Sequence, residues 1–428
     1  MPRRSRPSPG WVARTVVSST RTRPRTRRCD TRRDPRSPRR PDQSAPPPPR
    51  ILTRMSEHTE PPATPTPQTR AAARRAGENR PAAEPSAPEP TAAARPGRGA
   101  DISRALERHD RRIGWMDLLR GLSILLVILH HSTQIVTYRI GEVPGFFEFL
   151  SAFFAPFRMP MLMFLSGLLV AGSLHAPAGK YVWGKVRRIV WPIIVWTFIY
   201  TASQLVADPG LKHMPWEPGF WDTYLWFMQF IFAYYIIALL LRWVPAWVMV
   251  AVPFVAMFLI PAELELLQRF FYLMPFFFLG AFIEKHWDQY ARLLSVRLAA
   301  VLAVIPIGVA LYSGFVDPLW YEPLSALPAM LGILILVRLT AAAPEAAWLA
   351  PVRFVGQYSL IYYVAHYPVF AALGWLAAKA GITNPGLGLV IIFTVTVAIA
   401  TGFALIGRRM PVSLLFELPR RFGSAKRT

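Results

Sequence analysis

The sequence predicts an all-α polytopic membrane protein preceded by a disordered N-terminal extension. Three observations indicate this class. Residues 1–110 are rich in Pro, Ala and Arg and lack a periodic apolar pattern, which is typical of disorder. From residue 111 onward, apolar runs of membrane-spanning length follow one another. Lysine and arginine are distributed unequally between the two sets of predicted loops.

The N-terminal extension divides at Met55, where a less arginine-rich sequence begins. Residues 1–54 contain 16 arginines and 3 acidic residues, whereas residues 55–110 contain 8 basic and 8 acidic residues. An arginine-rich tail could bind anionic lipid or nucleic acid, but an unselected, arginine-biased stretch is the better interpretation, so no nucleic-acid partner is expected. Met55 is therefore a candidate for the true translation start, in which case residues 1–54 are not part of the native protein. The single cysteine, Cys29, lies there, which excludes a cysteine-based metal or redox site.

Ten apolar spans are predicted within a membrane domain at 111–409, followed by a basic tail at 410–428. The predicted spans are 114–136, 146–173, 189–206, 220–241, 244–261, 267–284, 296–314, 322–339, 353–376 and 387–407. With the N-terminus in the cytoplasm, eighteen Lys and Arg residues flank the cytoplasmic ends, against four on the opposite side. This positive-inside bias predicts a multi-pass protein of the inner (plasma) membrane with both termini cytoplasmic.

The first span carries ionisable residues, which are costly in a bilayer unless they face a partner or a water-filled cavity. Arg120 and His131 are eleven residues apart, close to three turns, so both are predicted on one face about 16 Å apart along the axis. Asp117 lies one turn from Arg120, and His130 points about 80° away from the direction of Arg120. His131 has the chemistry of a general base near neutral pH; the alternative is a hydrogen-bonded packing histidine.

Arg158 is predicted midway along the second span or deeper, where it could approach the level of Arg120. Two guanidinium groups in one cavity indicate an anionic ligand such as phosphate or carboxylate. The alternative is an Asp117–Arg120 pair that only locks helices together.

Two further groups are candidates for binding. A basic cytoplasmic rim precedes the third span and contains Lys185, Arg187 and Arg188; it is either a phosphate-binding site or an ordinary membrane anchor. In the ninth span a polar face at helical spacing contains Gly356, Ser359, Tyr363 and His366. That face is either part of a site or a helix-packing seam.

Four segments, in order, resemble the acyltransferase-3 family of bacterial integral membrane acyltransferases. They are "MDLLRGLSILLVILHH" (116–131), "FRMPMLMFLSGLLVAG" (157–172), "YLWFMQFIFAYY" (224–235) and "VGQYSLIYYVAHYPV" (355–369). The interval from Arg120 to His131 fits the family's Arg-x10-His motif, and the resemblance extends over residues 111–409.

The resemblance implies transfer of an acyl group, commonly acetyl from acetyl-CoA, to a hydroxyl of a cell-envelope carbohydrate or glycolipid. It implies that His131 is the catalytic histidine, with Arg120 as its partner and Asp117 beside it. No tightly bound cofactor and no metal are expected; acyl-CoA is a substrate. The residues predicted to bind donor or acceptor are Arg158, Lys185, Arg187, Arg188, Ser359, Tyr363 and His366.

Two other classes remain open at this stage. A transporter or flippase for a glycolipid or anion would use the same buried charges, although no internal repeat is evident. A non-catalytic partner in an envelope-assembly complex is the third class. The sequence contains no nucleotide-binding glycine loop, zinc-ligand cluster or Gly-x-Ser-x-Gly elbow, and it leaves the acceptor and the oligomeric state open.

Overall fold

The computed structural model describes residues 98–207, 223–343 and 346–419, with side chains described for 114–203, 223–343 and 346–419. These ranges are mostly helical and contain no β-strand, which confirms the all-α prediction. Residues 1–97 of the predicted extension, 1–110, lie outside the described residues. The first helix begins at Arg98, so residues 98–110 are helical rather than disordered. Extending an existing helix requires no new nucleus, and Ala, Leu, Arg and Glu in this stretch favour helix.

Sixteen α-helices follow one another in the described ranges. They are α1 (Arg98–Arg139), α2 (Gly145–Phe153), α3 (Ala155–Gly167), α4 (Val170–Ser173), α5 (Ala178–Lys185), α6 (Trp191–Ala207), α7 (Trp226–Leu240), α8 (Ala246–Leu259), α9 (Glu265–Lys285), α10 (Trp287–Leu293), α11 (Val296–Leu302), α12 (Val304–Phe315), α13 (Ala326–Ala342), α14 (Ala350–Gln357), α15 (Ser359–Lys379) and α16 (Pro385–Ile406). A π-helical turn, Val186–Val190, joins α5 to α6. We call the end of the bundle at which α1 finishes the distal end, and the opposite end the proximal end.

Each of the ten predicted spans falls on helical segments. Seven stretches among the described residues are long and apolar enough to cross a membrane: Gly114–Arg139, Ala155–Ser173, Glu265–Lys285, Val296–Phe315, Pro323–Ala342, Ser359–Lys379 and Pro385–Ile406. The predicted fourth and fifth spans correspond to two shorter apolar helices, α7 with 15 residues and α8 with 14. The predicted third span, 189–206, falls on α6 and the turn before it. Apolar side chains such as Val252, Val255 and Leu259 of α8 are exposed, as expected for a surface that contacts lipid.

The second predicted span is divided by Pro156. Proline has no N–H, so the carbonyl of Ala152 loses its helical donor, α2 ends and α3 starts afresh. Two side chains satisfy the freed carbonyls: Ser313 Oγ donates to Ala152 at 2.6 Å, and Arg158 Nη1 donates to Ser151 at 3.0 Å. Arg158 therefore lies in the first turn of α3, near the distal end, and not midway along the span.

Glycines bring two pairs of helices into close contact. Gly121 and Gly356 lie between α1 and α14, and Gly167 and Gly280 lie between α3 and α9. At each position an added Cβ would overlap a backbone carbonyl oxygen of the opposite helix. Small residues of this kind allow helix backbones to approach closely inside a bilayer. They fix α1, which carries Arg120 and His131, and α3, which carries Arg158.

The C-terminal segment, residues 412–419, packs against α6 instead of beginning a free basic tail. Trp191 Nε1 donates to the carbonyl of Leu414 at 2.6 Å, and Trp196 Nε1 donates to that of Leu415 at 3.0 Å. Buried indole groups need such partners, so the two tryptophans hold the segment in place. The rest of the predicted tail, 420–428, lies outside the described residues.

Candidate functional site

Two histidines from different helices meet near the distal end. The rings of His131 on α1 and His366 on α15 are stacked, with centroids 5.3 Å apart. Phe370 stacks on His131 at 5.8 Å. Gln134 Oε1 lies 3.0 Å from His131 Nδ1. Because an amide oxygen only accepts, Nδ1 of His131 is the donor and Nε2 carries the lone pair that a general base needs.

His366 has a buried nitrogen without a partner. Its side chain is 1% exposed, and Nδ1 donates to the carbonyl of Tyr363 at 2.6 Å. Nε2 is then an acceptor, and it has no hydrogen-bond partner among the described residues. A buried polar atom left unpaired is destabilising, so this nitrogen marks a place where a ligand could bind.

The backbone around His366 is shaped by Pro368. This proline removes the helical donor to the carbonyl of Val364, and Tyr224 OH donates to that carbonyl instead, at 2.8 Å. In return, Tyr363 OH donates to the carbonyl of Tyr224 at 3.0 Å. Tyr363 therefore lies beside His366, as predicted, and helps to hold α15 against the start of α7.

His130 borders the same region from the other side of α1. Its Nδ1 lies 2.8 Å from Ser151 Oγ, and its ring lies 4.7 Å from that of Trp320. The rings of His130 and His131 are only 5.1 Å apart, so both histidines border the site despite their different directions.

Arg158 lies beside Ser151 and Trp320, which also contact His130, whereas Arg120 contacts the carbonyl of Leu165, seven residues further along α3; the two arginines therefore have different neighbours. The helix break at Pro156 explains the difference, since it moves Arg158 towards the distal end. The Arg158 side chain is buried, its Cζ lies 4.7 Å from the Trp320 ring centroid, and its Nη2 has no hydrogen-bond partner among the described residues.

Arg120 belongs to a second cluster at the proximal end. It pairs with Asp117 at 3.8 Å, and its Nη2 donates to the carbonyl of Leu165 at 3.1 Å. Lys185 Nζ lies 3.4 Å from the ring centroid of Tyr235. Tyr235 OH donates to the carbonyl of Ser166 at 3.1 Å, next to the Leu165 carbonyl that Arg120 contacts, so both cations lie near this tyrosine. Arg120 thus turns towards α3 whereas His131 turns towards α15.

The basic rim is divided between two roles. Arg187 is buried and bonded to the C-terminal segment: Nη2 pairs with Glu417, and Nε donates to the carbonyl of Leu418 at 2.7 Å. Arg188 Nε lies 3.2 Å from the same Glu417 carboxylate but is 61% exposed. Burial, together with the charge of Arg188, lowers the pKa of Lys185 to about 8.

The predicted polar face of the ninth span is interrupted. The helix breaks at Tyr358, so Gly356 belongs to α14 and contacts α1, whereas Ser359 opens α15. Ser359 lies seven residues before His366, about 10 Å along the axis, and outside the histidine pair. Only Tyr363 and His366 of the four reach the distal site.

Several residues at this end were not predicted. The loop after α12 places Trp320 against His130 and Arg158, and Tyr321 in the left-handed region at φ 59°, which is uncommon for a bulky residue. The guanidinium of Arg269 lies 5.1 Å from the rings of both Trp226 and Tyr321. These contacts join distant parts of the chain, so no local sequence pattern predicts them. Among the residues with described side chains, no group of three His, Cys, Asp or Glu could hold a metal ion.

The described residues define a polytopic helical membrane protein with a histidine pair and a buried arginine at one end of the bundle. Comparison with known families identifies it further. Residues 113–405 match the family model described as "Acyltransferase domain", so the chain belongs to the acyltransferase-3 family and the resemblance is confirmed.

One curated relative covers part of the chain. Nodulation protein NolL of Sinorhizobium fredii (strain NBRC 101917 / NGR234) is 26% identical over 187 residues, which are 41% of this chain and 50% of the relative. The chain thus matches half the length of that protein. No solved structure matches the chain.

Proposed function

We propose that this protein transfers an acyl group, with acetyl as the first candidate, from acyl-CoA to a hydroxyl of a cell-envelope carbohydrate or glycolipid. The observation that best supports this reaction is the histidine pair. Hydrogen bonding to Gln134 directs the lone pair of His131 to Nε2, and His366 presents a second unprotonated nitrogen next to it. A family of acyltransferases and a positioned general base together favour transfer to an acceptor hydroxyl.

In this mechanism the acceptor hydroxyl binds at the distal end. His131 Nε2 takes the hydroxyl proton while the oxygen attacks the thioester carbonyl, and the proton then leaves with the thiol of coenzyme A. Gln134 keeps the imidazole in the required tautomer and orientation, as second partners of catalytic histidines commonly do.

The donor phosphates are proposed to bind at the proximal end. Lys185 lies against the ring of Tyr235, Arg120 lies near the same tyrosine, and Arg188 is exposed. The positive-inside bias of the loops assigns this end to the cytoplasm, where acyl-CoA is present. Three turns of α1 separate Arg120 from His131, about 16 Å, which is comparable to the reach of an extended pantetheine arm. Arg187 is assigned to the C-terminal segment and not to the donor.

The test compares lipid and glycan mass spectra of cells lacking the protein with cells complemented by variants. Wild type should restore a mass increment that names both acyl group and acceptor. His131→Ala should reduce it about 10²-fold or more, because it removes the general base. His175→Ala is the matched control, since His175 is exposed and lies outside both clusters. His130→Ala should be milder than His131→Ala.

Two results would contradict the proposal. One is identical spectra with and without the protein; the other is full complementation by His131→Ala. Consumption of acetyl-CoA by purified protein separates transfer from the transporter or flippase alternative, which would bind its substrate without consuming a thioester.

A further inference from the structure

Arg158 is a buried cation whose contacts with the described residues are all neutral. Its side chain is 3% exposed, and Nη1 lies 3.0 Å from the carbonyl of Ser151 and 3.5 Å from Ser151 Oγ. The ring of Trp320 covers the guanidinium at 4.7 Å. No carboxylate among the described residues pairs with it. Burying a charge without a counter-charge is costly, so the burial of this guanidinium is energetically unfavourable in the absence of a ligand.

One donor group of Arg158 is also unused. Nη2 is buried and has no hydrogen-bond partner among the described residues, and the same is true of the acceptor Nε2 of His366. One of these two unpaired atoms is a hydrogen-bond donor and the other is an acceptor. A ligand that carries both a hydrogen-bond acceptor and a hydroxyl proton would satisfy them together.

Arg158 is connected to His131 through Trp320 and His130. Trp320 contacts both Arg158 and His130 at 4.7 Å, and the ring of His130 lies 5.1 Å from that of His131. Ser151 Oγ lies 2.8 Å from His130 Nδ1 and 3.5 Å from Arg158 Nη1, so the same hydroxyl borders both side chains. Arg158 and the general base His131 thus both lie beside His130 at the distal end, whereas the proposed donor-binding residues lie at the proximal end.

We propose that Arg158 binds the oxyanion that forms on the thioester carbonyl during acyl transfer, an inference that rests on the function proposed above. The acceptor oxygen gives its proton to His131 and forms a bond to the carbonyl carbon. The carbonyl π electrons move to the carbonyl oxygen, which becomes an anion that accepts from Arg158 Nη2. When this intermediate collapses, the C–S bond breaks, and the thiolate takes the proton back from His131 to leave as coenzyme A thiol.

A role at the oxyanion explains why Arg158 lies at the distal end, which a contact with donor phosphate would not explain. A fixed guanidinium in a dry site stabilises charge that develops only in the transition state, and it needs no reorganisation to do so. A donor phosphate is already charged in the ground state and is expected at the cytoplasmic end. Arg158 thus changes from the predicted donor-binding residue to a catalytic residue of the transfer step.

The experiment measures transfer of label from [1-14C]acetyl-CoA to endogenous acceptor in membranes of the deletion strain. The strain expresses wild type, Arg158→Gln, Arg158→Lys, His131→Ala or Arg139→Gln at matched abundance. Arg158→Gln should lower kcat about 10²- to 10³-fold, the effect of losing an oxyanion donor, while the KM for acetyl-CoA changes less than about 3-fold. Arg158→Lys keeps a charge without the planar fork and should lose about 10-fold in kcat. Arg139→Gln, an exposed distal arginine, should match wild type.

Binding of coenzyme A to the purified variants, measured by isothermal titration, completes the test. Affinity within about twofold of wild type is expected for both Arg158 variants, because ground-state donor contacts are unchanged. A kcat equal to wild type in folded Arg158→Lys or Arg158→Gln would overturn the inference, as would a raised KM with kcat unchanged. If Arg158→Gln does not fold, Arg158→Lys decides alone.

Failure of the proposed function has a different signature. In that case wild type incorporates no label, or His131→Ala incorporates as much as wild type. Label incorporation that depends on His131 but is indifferent to Arg158 leaves the proposed function intact and removes only the oxyanion role.

Discussion

Replacement of Glu417 by Gln should loosen the C-terminal segment while leaving the distal site intact. Glu417 accepts from both Arg187 and Arg188, and the two arginine side chains are 10% and 61% exposed. The exposed pair with Arg188 contributes about 0–1 kcal/mol. The contact with buried Arg187 contributes about 1.5–3 kcal/mol, the range for hydrogen bonds to charged groups. Gln retains an acceptor oxygen, so we expect a loss of about 1–2 kcal/mol.

Substitution of Arg187 should be more damaging than substitution of Glu417. Arg187→Gln removes the contact with Glu417 and also the 2.7 Å hydrogen bond to Leu418, so about 2–3 kcal/mol is expected. Because the residues interact directly, the double variant should be less destabilised than the sum of the single variants by about 1 kcal/mol. Arg188→Gln is the control, with a loss of at most about 1 kcal/mol.

Thermal unfolding in detergent micelles is the assay, with the KM for acetyl-CoA measured on the same variants. A midpoint lowered by about 2–4 °C per kcal/mol is expected for a domain of a few hundred residues. The KM should change less than about twofold for Arg187→Gln, because this arginine is anchored to protein. Unchanged unfolding combined with a KM raised about tenfold would refute the reasoning, since Arg187 would then contact the donor.

Two further predictions concern the proximal end and the topology. Since the pKa of Lys185 is lowered to about 8, its ammonium group is charged below that pH and neutral above it. If Lys185 holds donor phosphate, the KM for acetyl-CoA should rise as the pH increases through about 8. Lys185→Arg should flatten this rise because arginine stays protonated. An equal rise in the variant would exclude Lys185 as a phosphate-binding residue. A reporter fused after Thr428 should be cytoplasmic and one inserted near Pro209 external; the reverse location at Pro209 would invalidate the predicted orientation.

The helices and the spacing on α1 could be predicted because both depend on local pattern. Apolar runs mark the spans, and eleven residues between Arg120 and His131 fix their separation along one helix. The signal for the break in the second span was also local. Pro156 removes the helical donor to the carbonyl of Ala152 at the end of α2, and this signal favours a position of Arg158 closer to the distal end.

The contacts that complete the site could not be predicted in the same way. His366 was predicted on a polar face of the ninth span, but its contact with His131 depends on how α15 packs against α1. Trp320 reaches Arg158 from a loop more than a hundred residues later, and Glu417 reaches Arg187 across 230 positions. Such pairs depend on tertiary packing, which leaves no periodic pattern in a single sequence. Gln134 is the exception, since a polar residue one turn after His131 was visible from the start.

The shortness of α8 has a consequence for the lipid around the protein. Its 14 residues extend about 21 Å, whereas the hydrocarbon core of a typical bilayer is about 30 Å thick. α7, with 15 residues, is hardly longer. Apolar side chains are exposed along α8, so if this helix crosses the bilayer we expect the hydrocarbon layer beside it to be thinner than beside the longer spans. Such thinning would be confined to the side of the protein that α8 forms.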